Sequence, residues 1–280
     1  MNKKGSEHIR RRAEEDAEEK AERRLRRWTD RTVKWIRAKV SEAGCTGVVI
    51  GLSGGLDSAV VAALCQRAFP EEARAVFLPV HSLEADRNDA EKVAKILGIK
   101  FDVIALDDVF DQFLEVLPPA DEASEQLAKA NLKPRLRMAA LYYVAAVHNS
   151  LVVGTGNRAE IYLGYFTKYG DGATDIMPLA RLTKAQVVRV GQYLGIPDEV
   201  INRSPSAGLW PGQTDEDELG ISYNQIDAFL LRGAATTEVA DKIRSLHKKT
   251  EHKRHPPPLP PFTLSEGAVS VEMDPEASES

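Results

Sequence analysis

The chain has 280 residues, a formal net charge of −5 and 43% hydrophobic residues, enough for one α/β domain with extensions and a sizeable core. No apolar run approaches the roughly 20 residues that span a bilayer, and the N-terminus, MNKKGSEHIRRR, lacks the apolar stretch of a secretory signal. The acidic balance argues against broad nucleic-acid binding, and two isolated cysteines, Cys45 and Cys65, make no thiolate zinc site; a soluble cytoplasmic protein is expected.

Residues 1–46 read as a charged helical extension. Ile9, Ala13, Ala17, Ala21, Leu25, Trp28 and Ile36 form a thin stripe near helical spacing, so the first turns should be solvated and 28–40 should pack on the core. Its basic pieces, HIRRR and ERRLRR, fit a salt-bridged exposed helix better than a phosphate site. From Gly47 strands alternate with helices: strands over 48–50, 75–78, 101–104 and 151–153, helices over 58–69, 86–97, 108–117 and 134–148. Gly98 should stop the second of these helices, and Pro118 and Pro119 the third. This order predicts an α/β fold, a doubly wound parallel sheet with flanking helices.

TKAQ at 183–186 reads as a capping box opening a helix over 184–194. The stretch 203–218, RSPSAGLWPGQTDEDE, reads as a long mobile loop, followed by helices over 222–230 and 237–247. Residues 256–261 are proline-rich, and 264–280 carry five acids and no base. A domain over 47–255 with a disordered tail over 256–280 is therefore expected.

The most informative stretch is GVVIGLSGGLDSAVVAALC at 47–65. A turn after the first strand of a doubly wound sheet faces the carboxyl edge, where ligands bind. Gly54 and Gly55 let the backbone approach a ligand closely, the following helix N-terminus suits an anion, and Ser53 and Ser58 add hydroxyl donors. Asp57 suits a phosphate site only if a divalent cation such as Mg²⁺ is included. No Gly-Lys-Ser/Thr occurs, so this is not a Walker A loop.

SGGLDS is similar to the SGGxDS signature of the N-type ATP pyrophosphatases. That resemblance implies a Rossmann-like fold of the adenine nucleotide alpha hydrolase type, with ATP cleaved between its α and β phosphates. Gly51, Leu52, Ser53, Gly54, Gly55, Leu56, Asp57 and Ser58 match the ATP-binding loop. The stretch VVGTGNRAEIYLGYFTKYGDGATDIMPLARLTK, 152–184, resembles the NAD synthetase pattern GTxxxAExxxGxxTKxGDGxxDxxPLxxLxK. DELGISYNQID at 217–227 and TEHKR at 250–254 resemble two further blocks of that family.

The resemblance to ammonia-dependent NAD synthetases implies a ligase that adenylates deamido-NAD and then amidates it. It implies Mg²⁺ shared by Asp57 and Glu160, and ATP contacts from Thr155, Lys184 and Ser206. It assigns Arg135, Lys168, Asp175, His252 and Lys253 to deamido-NAD, and puts Asp171 near the reacting carboxylate. It also implies a homodimer, with the helices over 28–40 and 135–148 as candidate interface elements. Only 46 residues precede Gly47, too few for the amidohydrolase domain of glutamine-dependent relatives, so free ammonia, or ammonia from another chain, is the expected nitrogen source.

Two departures from the family pattern stand out. Ser206 replaces a threonine and Gly208 a carboxylate, and PVHSLEADRNDA lacks a YGxQ pattern, leaving His81, Ser82 and Glu84 as candidate substitutes. Three rival functions fit less well. GTGNRA at 154–159 satisfies the dinucleotide fingerprint, but a dehydrogenase would leave SGGLDS unexplained. A tRNA-thiolating enzyme would need more cysteines, and a mere ATP-binding module would not need Lys168, Asp175, His252 and Lys253.

Overall fold

Val48, Val49 and Ile50 are inaccessible although they alternate between opposite faces of one strand. Only a strand covered by helices on both sides buries both faces. The computed structural model describes residues 3–119, 121–205 and 214–261, with side chains from residue 16 onward except 122–124. In chain order the elements are α1 (Lys3–Glu42), β1 (Gly47–Gly51), α2 (Leu56–Ala68), β2 (Ala73–Phe77), α3 (Glu84–Leu97) and β3 (Lys100–Val103). Then come α4 (Asp107–Glu115), α5 (Glu122–Val147), β4 (Ser150–Val153), α6 (Arg158–Leu163), α7 (Lys184–Leu194) and α8 (Asp198–Ile201). The last helices are α9 (Asp215–Leu219), α10 (Tyr223–Arg232) and α11 (Thr237–Lys249), followed by a 3-10 turn, Glu251–Lys253.

The four strands are parallel in the order β3-β2-β1-β4. Ile50 lies opposite Ala75 on one side and Val153 on the other. The chain moves outward from β1 to β3 and then returns to the far side of β1 for β4. The order therefore reverses between β1 and β4, and in such sheets the crevice at the reversal is where ligands bind. Val48 and Ile50 pack with α1, α2, α3 and α7, while Val49, Val76 and Val152 pack with α4 and α5. A smaller cluster joins α6, α9, α10 and α11 around Leu163, Ile226 and Ile243.

The long first helix behaves as its stripe predicts. Residues 16–20 are exposed, whereas Val33, Ile36 and Val40 are buried in the main core. Arg37 adds a polar tie: its guanidinium donates to the carbonyls of Ala68 and Arg67, both at 2.8 Å. These carbonyls end α2 and have no intrahelical partner. No helix among the described residues is long and apolar enough to cross a membrane.

Several boundaries differ from expectation. Helix α2 begins at Leu56, so Asp57 lies within its first turn. Helix α5 begins at Glu122 and carries Pro134 inside it, where the sequence suggested a start at Pro134. The expected loop over 203–218 ends in α9, whose N-cap Thr214 accepts from Asp217 N; the short α8 was not anticipated. Ser206, Gly208 and the tail beyond 261 lie outside the described residues.

If the second half of α1 is core, Ile36→Ala should cost about 2–5 kcal/mol. Glu19→Ala, on the exposed half, should stay within about 0.5 kcal/mol of the parent. Urea unfolding midpoints at unchanged m-value would check both; equal midpoints for the two variants would contradict this packing.

Candidate active site

The turn after β1 is held by its own hydroxyls. Ser58 Oγ accepts from Ser53 N at 3.2 Å and donates to Gly55 O at 2.9 Å, and Ser53 Oγ lies 3.0 Å from it. Ser53 Oγ also accepts from Gly55 N at 3.3 Å. Gly54 has φ +82°, and a Cβ there would stand 2.5 Å from the carbonyl oxygen of Asp86. Gly54 thus serves a left-handed turn pressed against the start of α3, where a side chain has no room, while Gly55 has ordinary extended torsions.

Asp57, from this turn, meets Glu160, which follows β4 in the first turn of α6. Asn157 joins them: its Nδ2 donates to Asp57 Oδ1 at 3.2 Å and to Glu160 Oε1 at 2.7 Å. Asn157 also caps α6, its Oδ1 accepting from Ala159 N at 3.0 Å and Glu160 N at 3.2 Å. Glu160 Oε2 returns the interaction by accepting from Asn157 N at 3.0 Å.

Lys184 closes the group from α7. Its ammonium pairs with Asp57 and lies 5.2 Å from the centre of the Tyr223 ring. The Asp57 and Lys184 side chains are only 17% and 12% exposed, so water screens their charges weakly. The backbone of Lys184 is itself pinned, because the buried Asp227 of α10 accepts from Lys184 N at 3.3 Å and Ala185 N at 3.0 Å. Tyr223 donates to Asp215 at 2.9 Å and lies 3.4 Å from Glu160 Oε1. Thr155 lies on the turn between β4 and α6, partly buried.

The electrostatics follow from crowding. Burial, and then the neighbouring Asp57 carboxylate, push the Glu160 carboxyl up to about 8, against the opposing pull of Lys184 and the Asn157 N–H. Burial alone would lower Lys184, but Asp57, Glu160 and Asp215 together outweigh it and hold the ammonium above its ordinary value. Burial raises the Tyr223 phenol, with Glu160, Asp215 and Asp57 adding to it.

A second group of expected residues gathers along 164–172. Arg135, exposed on α5, donates to Lys168 O at 3.3 Å. Asp171 accepts from Thr167 N at 2.9 Å and closes that turn. Lys253 donates to Gly164 O at 2.8 Å and Phe166 O at 2.7 Å, so its ammonium ties down the chain after α6. Asp175 is engaged elsewhere, accepting from Tyr142 OH at 3.1 Å and Val152 N at 2.7 Å. His252 is exposed on the 3-10 turn.

Sequence reasoning missed Asn157, Asp215, Asp227 and Tyr223 as site residues. The last three fall in and beside the block at 217–227, which was read as a pattern without roles. His81, a candidate substitute in the loop after β2, turns toward α4 instead: its N–H donates to Asp107 at 2.6 Å and Nε2 lies 2.8 Å from Asp111. Ser82 is bound by Arg137, at 3.3 Å, and Glu84 is exposed. Gly154, first glycine of the apparent dinucleotide fingerprint, makes room for Thr174, which a Cβ would meet at 2.6 Å.

The raised carboxyl makes a prediction about stability. Glu160 titrates near 4.5 when free and near 8 when folded. Between these values the folded chain keeps a proton that the unfolded chain has released, so the protonated site's contribution is full below 4.5 and lost as pH rises through about 8. Glu160→Gln should therefore gain in urea midpoint over the parent as pH rises from about 5 to about 8. Parallel pH profiles for the two proteins would contradict the shift.

The family model described as NAD synthase matches residues 28–257. The chain is 46% identical over 233 residues to the NH(3)-dependent NAD(+) synthetase of Carboxydothermus hydrogenoformans, covering 83% of this chain and 96% of that protein. Its structure is similar to that of NMN synthetase from Francisella tularensis, with TM-score 0.80 and 37% identity over 85% of this chain and 99% of the other. It is also similar to NH3-dependent NAD synthetase from Campylobacter jejuni, with TM-score 0.70 and 30% identity over 84% and 98% of the two chains. With the family match reaching from α1 to just beyond the 3-10 turn, the chain belongs to the NAD synthase family.

Proposed function

We propose that this chain is an ammonia-dependent NAD synthetase, a cytoplasmic ligase that amidates deamido-NAD at the expense of ATP and releases AMP and pyrophosphate. The observation that carries this reading is the convergence of Asp57 and Glu160, from the turns after β1 and β4, at the point where the strand order reverses. The near-complete coverage of an NH(3)-dependent relative supports ammonia as the nitrogen donor.

In the proposed reaction a carboxylate oxygen of deamido-NAD bonds to the α-phosphorus of ATP as the bond to pyrophosphate breaks. Ammonia then bonds to the activated carbonyl carbon, AMP leaves with the oxygen, and a proton is released. The residues 51–58 receive the phosphates, with Thr155 and Ser206 as further ATP contacts. Lys184 compensates the charge of departing pyrophosphate. Arg135, Lys168 and Lys253 face the dinucleotide's own phosphates, with Asp175 and His252 on its sugars and rings and Asp171 beside the carboxylate. Side chains here position reactants and balance charge rather than form covalent bonds.

The donor set suits Mg²⁺. Three carboxylates, Asp57, Glu160 and Asp215, surround one ammonium in a poorly hydrated site, and the Glu160 carboxyl is raised by burial first and by the neighbouring Asp57 carboxylate second. Among the described residues no group of three or more His, Cys, Asp or Glu forms a complete metal cage. Two carboxylates with phosphates supplying the rest is the usual arrangement for Mg²⁺. Asp57 and Glu160 would hold the ion, which when bound neutralises phosphate charge.

Homodimer formation is part of this reading. Phe113, Val116 and Leu117, in and just after α4, and Tyr143 and Val147 on α5 are large and exposed, which supports contact through that face. A second reading is favoured by the likeness to NMN synthetase: the same chemistry on a mononucleotide acid.

The test is a chromatographic assay of purified protein with ATP, Mg²⁺, ammonium and either deamido-NAD or the acid corresponding to NMN. Equal amounts of NAD and AMP, lost without Mg²⁺ or ammonium, are expected with deamido-NAD. Preferential turnover of the mononucleotide would select the second reading, and no AMP with either acceptor would overturn both. Asp57→Asn should fold and lose about 100-fold or more in turnover.

A further inference from the structure

Asn157 has no accessible surface, and every hydrogen-bonding group of its side chain is used. Its oxygen takes two backbone N–H groups of α6, and its NH2 gives one hydrogen to each of two carboxylates. That orientation is chemically forced, since N–H donors need the oxygen and carboxylates need the NH2. We infer that Asn157 is a positioning residue: a neutral bridge that sets Asp57, from the turn after β1, against Glu160, from the turn after β4. This inference rests on the reading that the two carboxylates hold Mg²⁺.

The physical need is plain. Two carboxylates approaching each other in a poorly hydrated site repel. Lys184 pairs with Asp57 but is not hydrogen-bonded to Glu160 among the described residues, so it leaves the spacing of the two carboxylates open. A shared amide donor holds both before any cation arrives, and it adds no charge of its own. Asn157 and Asp57 are 100 apart in sequence, so the bridge also locks the turn after β1 to the turn after β4.

Capping and bridging can be separated by chemistry. As helix N-caps, Asn, Asp and Ser are near equals. Asn157→Ser keeps the cap acceptor and loses the bridge. Asn157→Asp keeps the cap and turns an oxygen toward two carboxylates. A capping role alone leaves both variants near the parent, whereas a positioning role requires the amide.

The experiment titrates Mg²⁺ in the assay above, for the parent and both variants, with urea midpoints measured alongside. Both variants should stay folded and lose about 10–100-fold in turnover at the Mg²⁺ level that half-saturates the parent, the usual cost of removing a partner that orients a metal-binding group. Added Mg²⁺ should restore part of the loss in Asn157→Ser. Parental turnover at that level in either folded variant overturns the inference, as does a loss that only tracks the unfolded fraction. If Asn157→Asp unfolds, Asn157→Ser decides alone, and the reverse holds too. Asp57→Asn and Glu160→Gln separate the two layers of the argument. Parental turnover in both removes the metal reading, while loss in both beside an active Asn157→Ser removes only the bridge.

Discussion

A parallel sheet whose order reverses must leave two neighbouring strands whose connections depart in opposite directions, and here they are β1 and β4. The rest of the site depends on that geometry. The turns after these strands emerge side by side at the carboxyl edge, and each delivers a carboxylate at the start of a helix. Every other feature of the site answers the resulting problem of two like charges in a confined space. Asn157 bridges them, Lys184 pairs with one, and Asp227 of α10 fixes the backbone from which Lys184 reaches. The small cluster of α6, α9, α10 and α11 thus braces, through Asp227, the start of α7 from which Lys184 reaches the sheet edge.

The arrangement favours binding over stability. A carboxyl pushed up to about 8 is one that the fold would rather keep protonated, and it persists because the capping bonds of α6 hold it. Asp215, which accepts from Tyr223 at 2.9 Å and from Tyr165 OH at 3.3 Å, extends the same polar network toward α9. Such a network is stable when its donors and acceptors are matched.

Much of this was legible in the chain itself. The β-branched run at 48–50, SGGLDS and the capping box at 183–186 each state their structure locally, and the alternation of strands with helices implies the parallel sheet. The misreadings have local causes too. Pro134 suggested a helix start because a first-turn proline loses no hydrogen bond, although the segment from 122 is rich in helix formers. The acids at 215–218 looked like loop, yet acids after a threonine cap are what a helix N-terminus favours. Asn157 was invisible for another reason. Its role depends on a neighbour 100 residues away, and the ion pair of Lys184 with Asp57 spans 127. The sequence likewise shows the ammonium of Lys253 but not the carbonyls of Gly164 and Phe166, 89 and 87 residues away, to which it donates.

The sheet has two outer edges, and they are finished differently. Beside β4 the chain at 175–176 lays a short stretch along the strand, with Gly154 N donating to Ile176 O at 2.8 Å and Asp175 N to Val152 O at 2.9 Å. Among the described residues strand β3 has no outer strand neighbour, but it is only four residues long, and its Asp102 is clamped to Arg74 at 2.6 Å. Short, charged edges give an incoming strand little to pair with. Copies of this chain are therefore steered away from fibrous sheet-to-sheet growth, and any stable association between them is left to the helical faces.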